Sequence, residues 1–147
     1  MKQEIERKFL VRRELLPKLP PGDEIEQGYL SVEPVVRVRL RVAHSGAQSA
    51  RLTIKGRGTI QRAEFEYSIR PDEGRALLGL CRRSLRKVRY VVGRWEIDEF
   101  LDRDLWLAEI ELQRPDEAFD KPRWVGDEVT HDPSYSNARL ARERAPG

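Results

Sequence analysis

Residues 35–42 read Val-Val-Arg-Val-Arg-Leu-Arg-Val, a strict alternation of arginine with aliphatic side chains. A period of two puts the arginines on one face of an extended strand and the aliphatic residues on the other, whereas a helix would scatter both sets. The same period returns along the chain. Glu4, Glu6 and Lys8 alternate with Ile5 and Phe9, Arg51 and Lys55 with Leu52 and Ile54, and Glu64 and Glu66 with Phe65 and Tyr67. Lys87 and Arg89 alternate with Val88 and Tyr90, Arg94, Glu96 and Asp98 with Trp95 and Ile97, and Glu109 and Glu111 with Ala108, Ile110 and Leu112.

The pattern predicts strands near residues 4–11, 25–32, 35–42, 50–55, 62–70, 85–92, 94–101 and 106–113, with Gly93 at a turn. Helices are expected at 13–18, at 71–81 behind Pro71, and at 135–142, with irregular chain beyond Pro115. At 147 residues, with no repeat and no linker, residues 1–147 read as one domain. The expected class is mainly β (α+β): an eight-stranded antiparallel barrel or strongly curved sheet, with a few short helices packed outside. Closure is favoured because it removes exposed strand edges.

Composition narrows the function classes. Lysine plus arginine number 28 against 25 acids, so the high charge is nearly balanced and does not describe a one-sign disordered tail. No apolar run approaches the ~20 residues that span a bilayer, and the opening residues hold no apolar signal core, which predicts a cytoplasmic protein with no membrane partner. Cys81 is alone, so no intrachain disulfide framework exists. One cysteine with His44 and His131 cannot supply a four-ligand zinc site, so any metal sits among carboxylates, which points to magnesium, calcium or manganese.

The charge is segregated. Residues 34–63 carry no acid but seven basic side chains from Arg37 to Arg62, and 82–94 are again basic without acid. Residues 96–111 reverse the sign. Two arrangements satisfy the alternation: a barrel with an apolar interior and a charged surface, or one whose charged faces line the inside. The strand-by-strand segregation, the scarcity of Ser, Thr, Asn and Gln on the charged faces, and lysines placed there in an arginine-rich chain raise the second to equal standing with the first and leave both open. Such a lumen would surround a short polyanion with cations while glutamates hold a divalent ion bridging its oxygens, which is the positioning and neutralisation that phosphoryl transfer needs.

The blocks Glu4-Ile5-Glu6-Arg7-Lys8, Gln27-Gly28-Tyr29-Leu30-Ser31, Val36-Arg37-Val38-Arg39, Leu52-Thr53-Ile54-Lys55-Gly56, Lys87-Val88-Arg89-Tyr90, Trp95-Glu96-Ile97-Asp98, Ala108-Glu109-Ile110-Glu111-Leu112 and Glu128-Val129-Thr130 occur in the order seen in a known family. The chain resembles, over nearly its whole length, the short bacterial CYTH domain proteins of the triphosphate tunnel metalloenzyme superfamily, whose opening signature is ExExK. The resemblance implies an eight-stranded tunnel that binds triphosphate with Mg²⁺ or Mn²⁺. It implies metal ligation by Glu4, Glu6, Glu109 and Glu111, and catalytic roles for Glu4, Glu6, Lys8 and Lys87. Phosphate contacts would come from Lys8, Arg37, Arg39, Arg41, Lys55, Lys87 and Arg89. Glu64, Glu66 and Asp98 would be further lumen acids, binding a second metal or orienting the basic groups.

The implied reaction is hydrolysis of inorganic tripolyphosphate. Nucleoside or thiamine triphosphate hydrolysis, ATP cyclisation, and a non-catalytic polyphosphate-binding barrel are the alternatives. Clustered inward carboxylates argue against a nucleic-acid binder. The absence of a large terminal helical cap leads to the expectation of an open tunnel end. A barrel this small is compatible with a homodimer, although no segment marks an interface. Trp95, Trp106 and Trp124 read as outer-face core, Tyr29 as packing, the two histidines as surface, and Gly56-Arg57-Gly58 as a turn too short for a phosphate loop.

Overall fold

The computed structural model describes residues 1–143. Eight strands close into an antiparallel barrel: β1 (Lys2–Val11), β2 (Asp23–Val32), β3 (Val35–Val42), β4 (Gln48–Lys55), β5 (Gln61–Ile69), β6 (Arg83–Val92), β7 (Trp95–Phe100) and β8 (Trp106–Glu111). Round the wall the order is β6, β2, β3, β4, β5, β1, β8, β7 and back to β6. β1 is shared in two halves. Lys2–Ile5 pair with β5, and Glu6–Leu10 pair with β8. Where β5 has left β1, a ninth strand, β9 (Val125–Glu128), takes its place beside Phe9 and Val11.

The apolar faces point outwards, so they need cover, and it comes in two places. Helix α1 (Pro71–Leu78) lies over β3 and β4, and beneath its end the outer face of β2 passes so close that a Cβ on Gly28 would sit 2.8 Å from the Cys81 sulfur. On the other side, residues 115–125 fold back over β1, β7 and β8. There Phe9, Trp95, Phe119 and Trp124 meet edge to face with ring centroids 5.5–5.9 Å apart. Phe9 and Ile97 are fully buried in this cluster. Trp95, Trp106 and Trp124 are therefore outer-face residues, as expected. Phe65 and Tyr67 on β5 have no such cover and remain exposed.

Several local expectations are corrected. The helix expected at 13–18 is one 3₁₀ turn, Arg13–Leu15, because Pro17 and Pro20 forbid its continuation. Helix α1 stops at Leu78 rather than 81, with Gly79 at its C-cap, so Cys81 lies in the connection to β6. The terminal helix expected at 135–142 is the single turn α2 (Asn137–Leu140), after a 3₁₀ turn at Pro133–Tyr135, and Arg142–Glu143 form β10 on β6. The chain beyond Pro115 is not wholly irregular, since it contains β9. That strand has four residues, and its pairing on β1 rather than any alternation of its own forms it.

The expected open tunnel end concerns one side of the barrel. At the other, Tyr29, Leu85, Phe100 and Leu107 continue the inward-facing rows and pack with Leu140 and Ala141 of the terminal segment. The last inward residue of several strands is thus apolar, and a short tail suffices to cover them.

Candidate functional site

The charged rows meet inside the barrel. They line a cavity of about 800 Å³ whose walls include Glu4, Glu6, Lys8, Arg37, Arg39, Arg41, Lys55, Glu64, Glu66, Arg89, Glu109 and Glu111. An eight-stranded barrel has an interior just wide enough to be filled by side chains or to hold one small ligand. Here like charges lodged in the wall prevent collapse onto an apolar filling.

On the basic side, Arg37, Lys55 and Arg89 are each no more than 6% exposed. The Arg37 Nε is buried with no hydrogen-bond partner among the described residues, and one of its terminal nitrogens reaches Thr53 Oγ1 at 3.5 Å. Arg39 donates through two nitrogens to Gln27 Oε1 at 3.1 and 2.9 Å, and Gln27 in turn donates to the Tyr29 hydroxyl. Among the described residues, no carboxylate pairs with Arg37 or Arg39, whose side-chain partners are Thr53 and Gln27. Burial, and the repulsion of Arg37 and Arg89, push Arg39 down to about 9. Buried cations without counter-charges are costly, and an anion in the lumen relieves that cost.

On the acidic side, Lys55 Nζ contacts both oxygens of Glu4, at 2.9 and 3.0 Å, and lies 3.7 Å from Glu64. Lys8 Nζ lies 3.6 Å from Glu109 and donates to the Tyr135 carbonyl at 2.9 Å. Burial and the proximity of Glu109 and Glu4 hold the Glu6 carboxyl well above its ordinary range. Burial also pushes Glu109 upwards, but Lys8, Arg89 and Lys87 outweigh it and bring Glu109 well below that range. The two carboxyls are thus pushed in opposite directions, Glu6 towards its protonated form and Glu109 towards its charged form.

The acid set fits a divalent cation in its chemistry. Carboxylates crowded in one wall repel one another, and a hard cation that prefers oxygen ligands relieves that repulsion. Among the described residues no three acidic, histidine or cysteine side chains are gathered as ready ligands, and Glu4 pairs with Lys55.

Lys87 and Asp98 differ from the rest. They are 0% and 2% exposed and stand behind the lining. Asp98 binds Lys87 Nζ at 2.7 Å and takes a two-pronged contact from Arg89 at 2.8 and 2.9 Å. Burial pushes the Lys87 ammonium down to about 7. Its other partner is Asn137 Oδ1, at 3.3 Å. Arg41 is engaged by Asp23 at 2.7 Å, Arg51 pairs with Glu66, and Glu111 pairs with Lys2 at 2.8 Å, its side chain half exposed.

Some lining residues escaped the sequence reading. Arg62 sits two residues before Glu64 and opposite Glu4 in register, and Arg83 four before Lys87, so phase alone identifies both. Gln27 and Tyr29 share the phase of their strand but carry no charge to mark it. Ser136 and Asn137 reach the lumen from the tail, which no strand period could signal.

The sequence matches the CYTH domain over residues 2–142. The chain belongs to the CYTH domain family. It is 39% identical to an inorganic triphosphatase of Acetivibrio thermocellus, across 97% of this chain and 95% of that protein. It is 34% identical to an inorganic triphosphatase of Nitrosomonas europaea, across 94% and 96% of the two chains. A crystal structure of the inorganic triphosphatase NE1496 superposes with a TM-score of 0.61 at 32% identity, covering 100% of this chain and 99% of that one. Membership of this CYTH family implies a divalent metal. Among the described residues, no helix is long and apolar enough to cross a membrane.

Proposed function

We propose that this chain is an inorganic triphosphatase that hydrolyses tripolyphosphate to pyrophosphate and phosphate in its charged tunnel, with Mg²⁺ or Mn²⁺. The observation that carries the reading is the meeting inside one closed barrel of two cations that pair with no carboxylate among the described residues, buried Arg37 and half-buried Arg39, with the crowded carboxylates Glu4, Glu6 and Glu109. A purely anion-binding barrel has no use for the second set. The triphosphatase names of two relatives that align along nearly the whole chain support the same reading.

In this account Arg37, Arg39, Arg41, Lys55, Lys8 and Arg89 bind and straighten the phosphate chain. Lys87 adds positive charge from behind the wall, while Glu64, Glu66 and Asp98 hold the basic side chains in place. Glu4, Glu6, Glu109 and Glu111 would hold the metal, which when bound neutralises phosphate oxygens and lowers the barrier to attack by water. The basic groups would stabilise charge that develops on the leaving pyrophosphate, so their contribution is electrostatic. The apolar end at Tyr29, Phe100 and Leu140 excludes bulk water there. The three tryptophans lie outside the barrel, which leaves the lumen without an indole platform for a base and favours the inorganic substrate over nucleotides. Residues 1–147 would act as one cytoplasmic unit.

The test is phosphate release from tripolyphosphate, ATP, thiamine triphosphate and pyrophosphate, with and without Mg²⁺ or Mn²⁺. The expected result is metal-dependent release, fastest from tripolyphosphate and lost in a folded Glu4→Ala variant. Absence of release from every triphosphate would overturn the proposal.

A further inference from the structure

The tail that closes the tunnel also enters it. The turn at Pro133–Tyr135 and helix α2 are fixed from several sides: the Ser136 side chain caps the Arg139 amide, Arg83 donates to the Ala141 carbonyl at 2.9 Å, Arg103 donates to the Leu140 carbonyl, and Leu140 is buried among Tyr29, Leu85, Phe100 and Leu107. Asn137 therefore presents its side chain from a firm base, and it lines the cavity.

Its partner determines how that side chain is turned. The Lys87 ammonium, paired with Asp98 at 2.7 Å, is fully buried and donates to the amide oxygen of Asn137 at 3.3 Å. With Oδ1 accepting from Lys87, Nδ2 is the part of the amide left to donate to another group, and Asn137 lines the cavity while Lys87 stands behind its lining.

We infer that Asn137 is a substrate-binding residue whose amide, held by Lys87, donates a hydrogen bond from Nδ2 to a phosphate oxygen of the bound chain. The inference rests on the triphosphatase reading and adds a ligand-contacting residue from outside the barrel strands. It gives Lys87 a route to the substrate despite its burial: the ammonium polarises the amide, and the amide meets the anion. Polarised chains of this kind strengthen the terminal bond.

The experiment is a double-mutant cycle on the dissociation constant of tripolyphosphate, measured by calorimetry without added divalent metal so that turnover does not intrude. Asn137→Ala is expected to weaken binding about tenfold, as for one hydrogen bond to a charged group. Asn137→Asp, nearly the same shape but unable to donate and negatively charged, is expected to weaken it further than Ala does. In a Lys87→Met background, Asn137→Ala is expected to change the constant by less than about threefold, since the two groups act as a unit. Unfolding midpoints identify any variant that has lost its fold.

Unchanged binding in Asn137→Ala would show that the amide does not meet the anion, and an equal loss in both backgrounds would show that Lys87 does not hold it; either result overturns the inference. Tight tripolyphosphate binding with the expected cycle but no hydrolysis would leave this contact standing and sink the triphosphatase reading instead.

Discussion

Asp98 is the acid on which two buried cations depend, and Asp98→Asn removes its charge while keeping its shape. Lys87 at 2.7 Å and Arg89 at 2.8 and 2.9 Å are 0% and 6% exposed, so neither can turn to water for compensation. Breaking a buried pair by neutralising one partner costs roughly 3–5 kcal/mol. Two features place this case near the lower end. Arg89 keeps Glu96 at 3.1 Å, and Lys87, already pushed down to about 7, can release its proton. A loss of about 3 kcal/mol corresponds to a fall of roughly 6–12 °C in the unfolding midpoint for a chain of this size. The assay is urea unfolding followed by tryptophan fluorescence at pH 7, beside Glu111→Gln as a control. Glu111 pairs with Lys2 in a half-exposed setting, where about 0–1 kcal/mol is expected. If Asp98→Asn costs no more than the control, the claim that the wall behind the lumen is an electrostatically closed unit is wrong.

Three further outcomes follow from the same structure. The folded chain releases the Lys87 proton near pH 7 while an ordinary lysine in the unfolded chain keeps its proton to about 10.5, so the unfolded state binds more protons between those values. Lys87 thus makes stability rise with pH across that window, and Lys87→Met should flatten the rise in unfolding experiments from pH 7 to 10; an unchanged slope would contradict it. Phe9→Ala empties a fully buried site between Trp95 and Phe119 and should cost about 3–5 kcal/mol by urea unfolding, against less than 1 if residues 115–125 are only loosely applied. Gly28→Val has no room beside Cys81 and should lower the melting midpoint by several degrees, corresponding to about 1–3 kcal/mol; an unchanged midpoint would mean that α1 does not press on β2 as described.

The barrel was legible because its wall is written in a period of two with opposite chemistries on its faces. Arg37, Arg39 and Arg41 fall on one face, with Val38 and Leu40 on the other, only in an extended strand. Periodicity alone could not say which face is inside; the order of the family blocks decided that. The tail was illegible for a physical reason. Asn137, Tyr135 and Leu140 act through tertiary contacts with strands far away in sequence, and a four-residue helix has too few turns to show a period. The same holds for β9, which exists because β1 offers it an edge. Lys87 was marked by phase as a lumen residue, but phase does not report depth. Only the packing of Asp98 and Asn137 around its ammonium puts it behind the lining.

The most direct test of the central claim is a crystal structure of the protein with tripolyphosphate and Mg²⁺. The account predicts the phosphate chain inside the barrel, with Arg37 Nε donating to a phosphate oxygen, Lys55 drawn from Glu4 towards the anion, and the metal on carboxylates from the set Glu4, Glu6, Glu109 and Glu111. A phosphate chain bound on the outer surface, with Arg37 Nε still unpartnered and the Lys55–Glu4 pair intact, would contradict it.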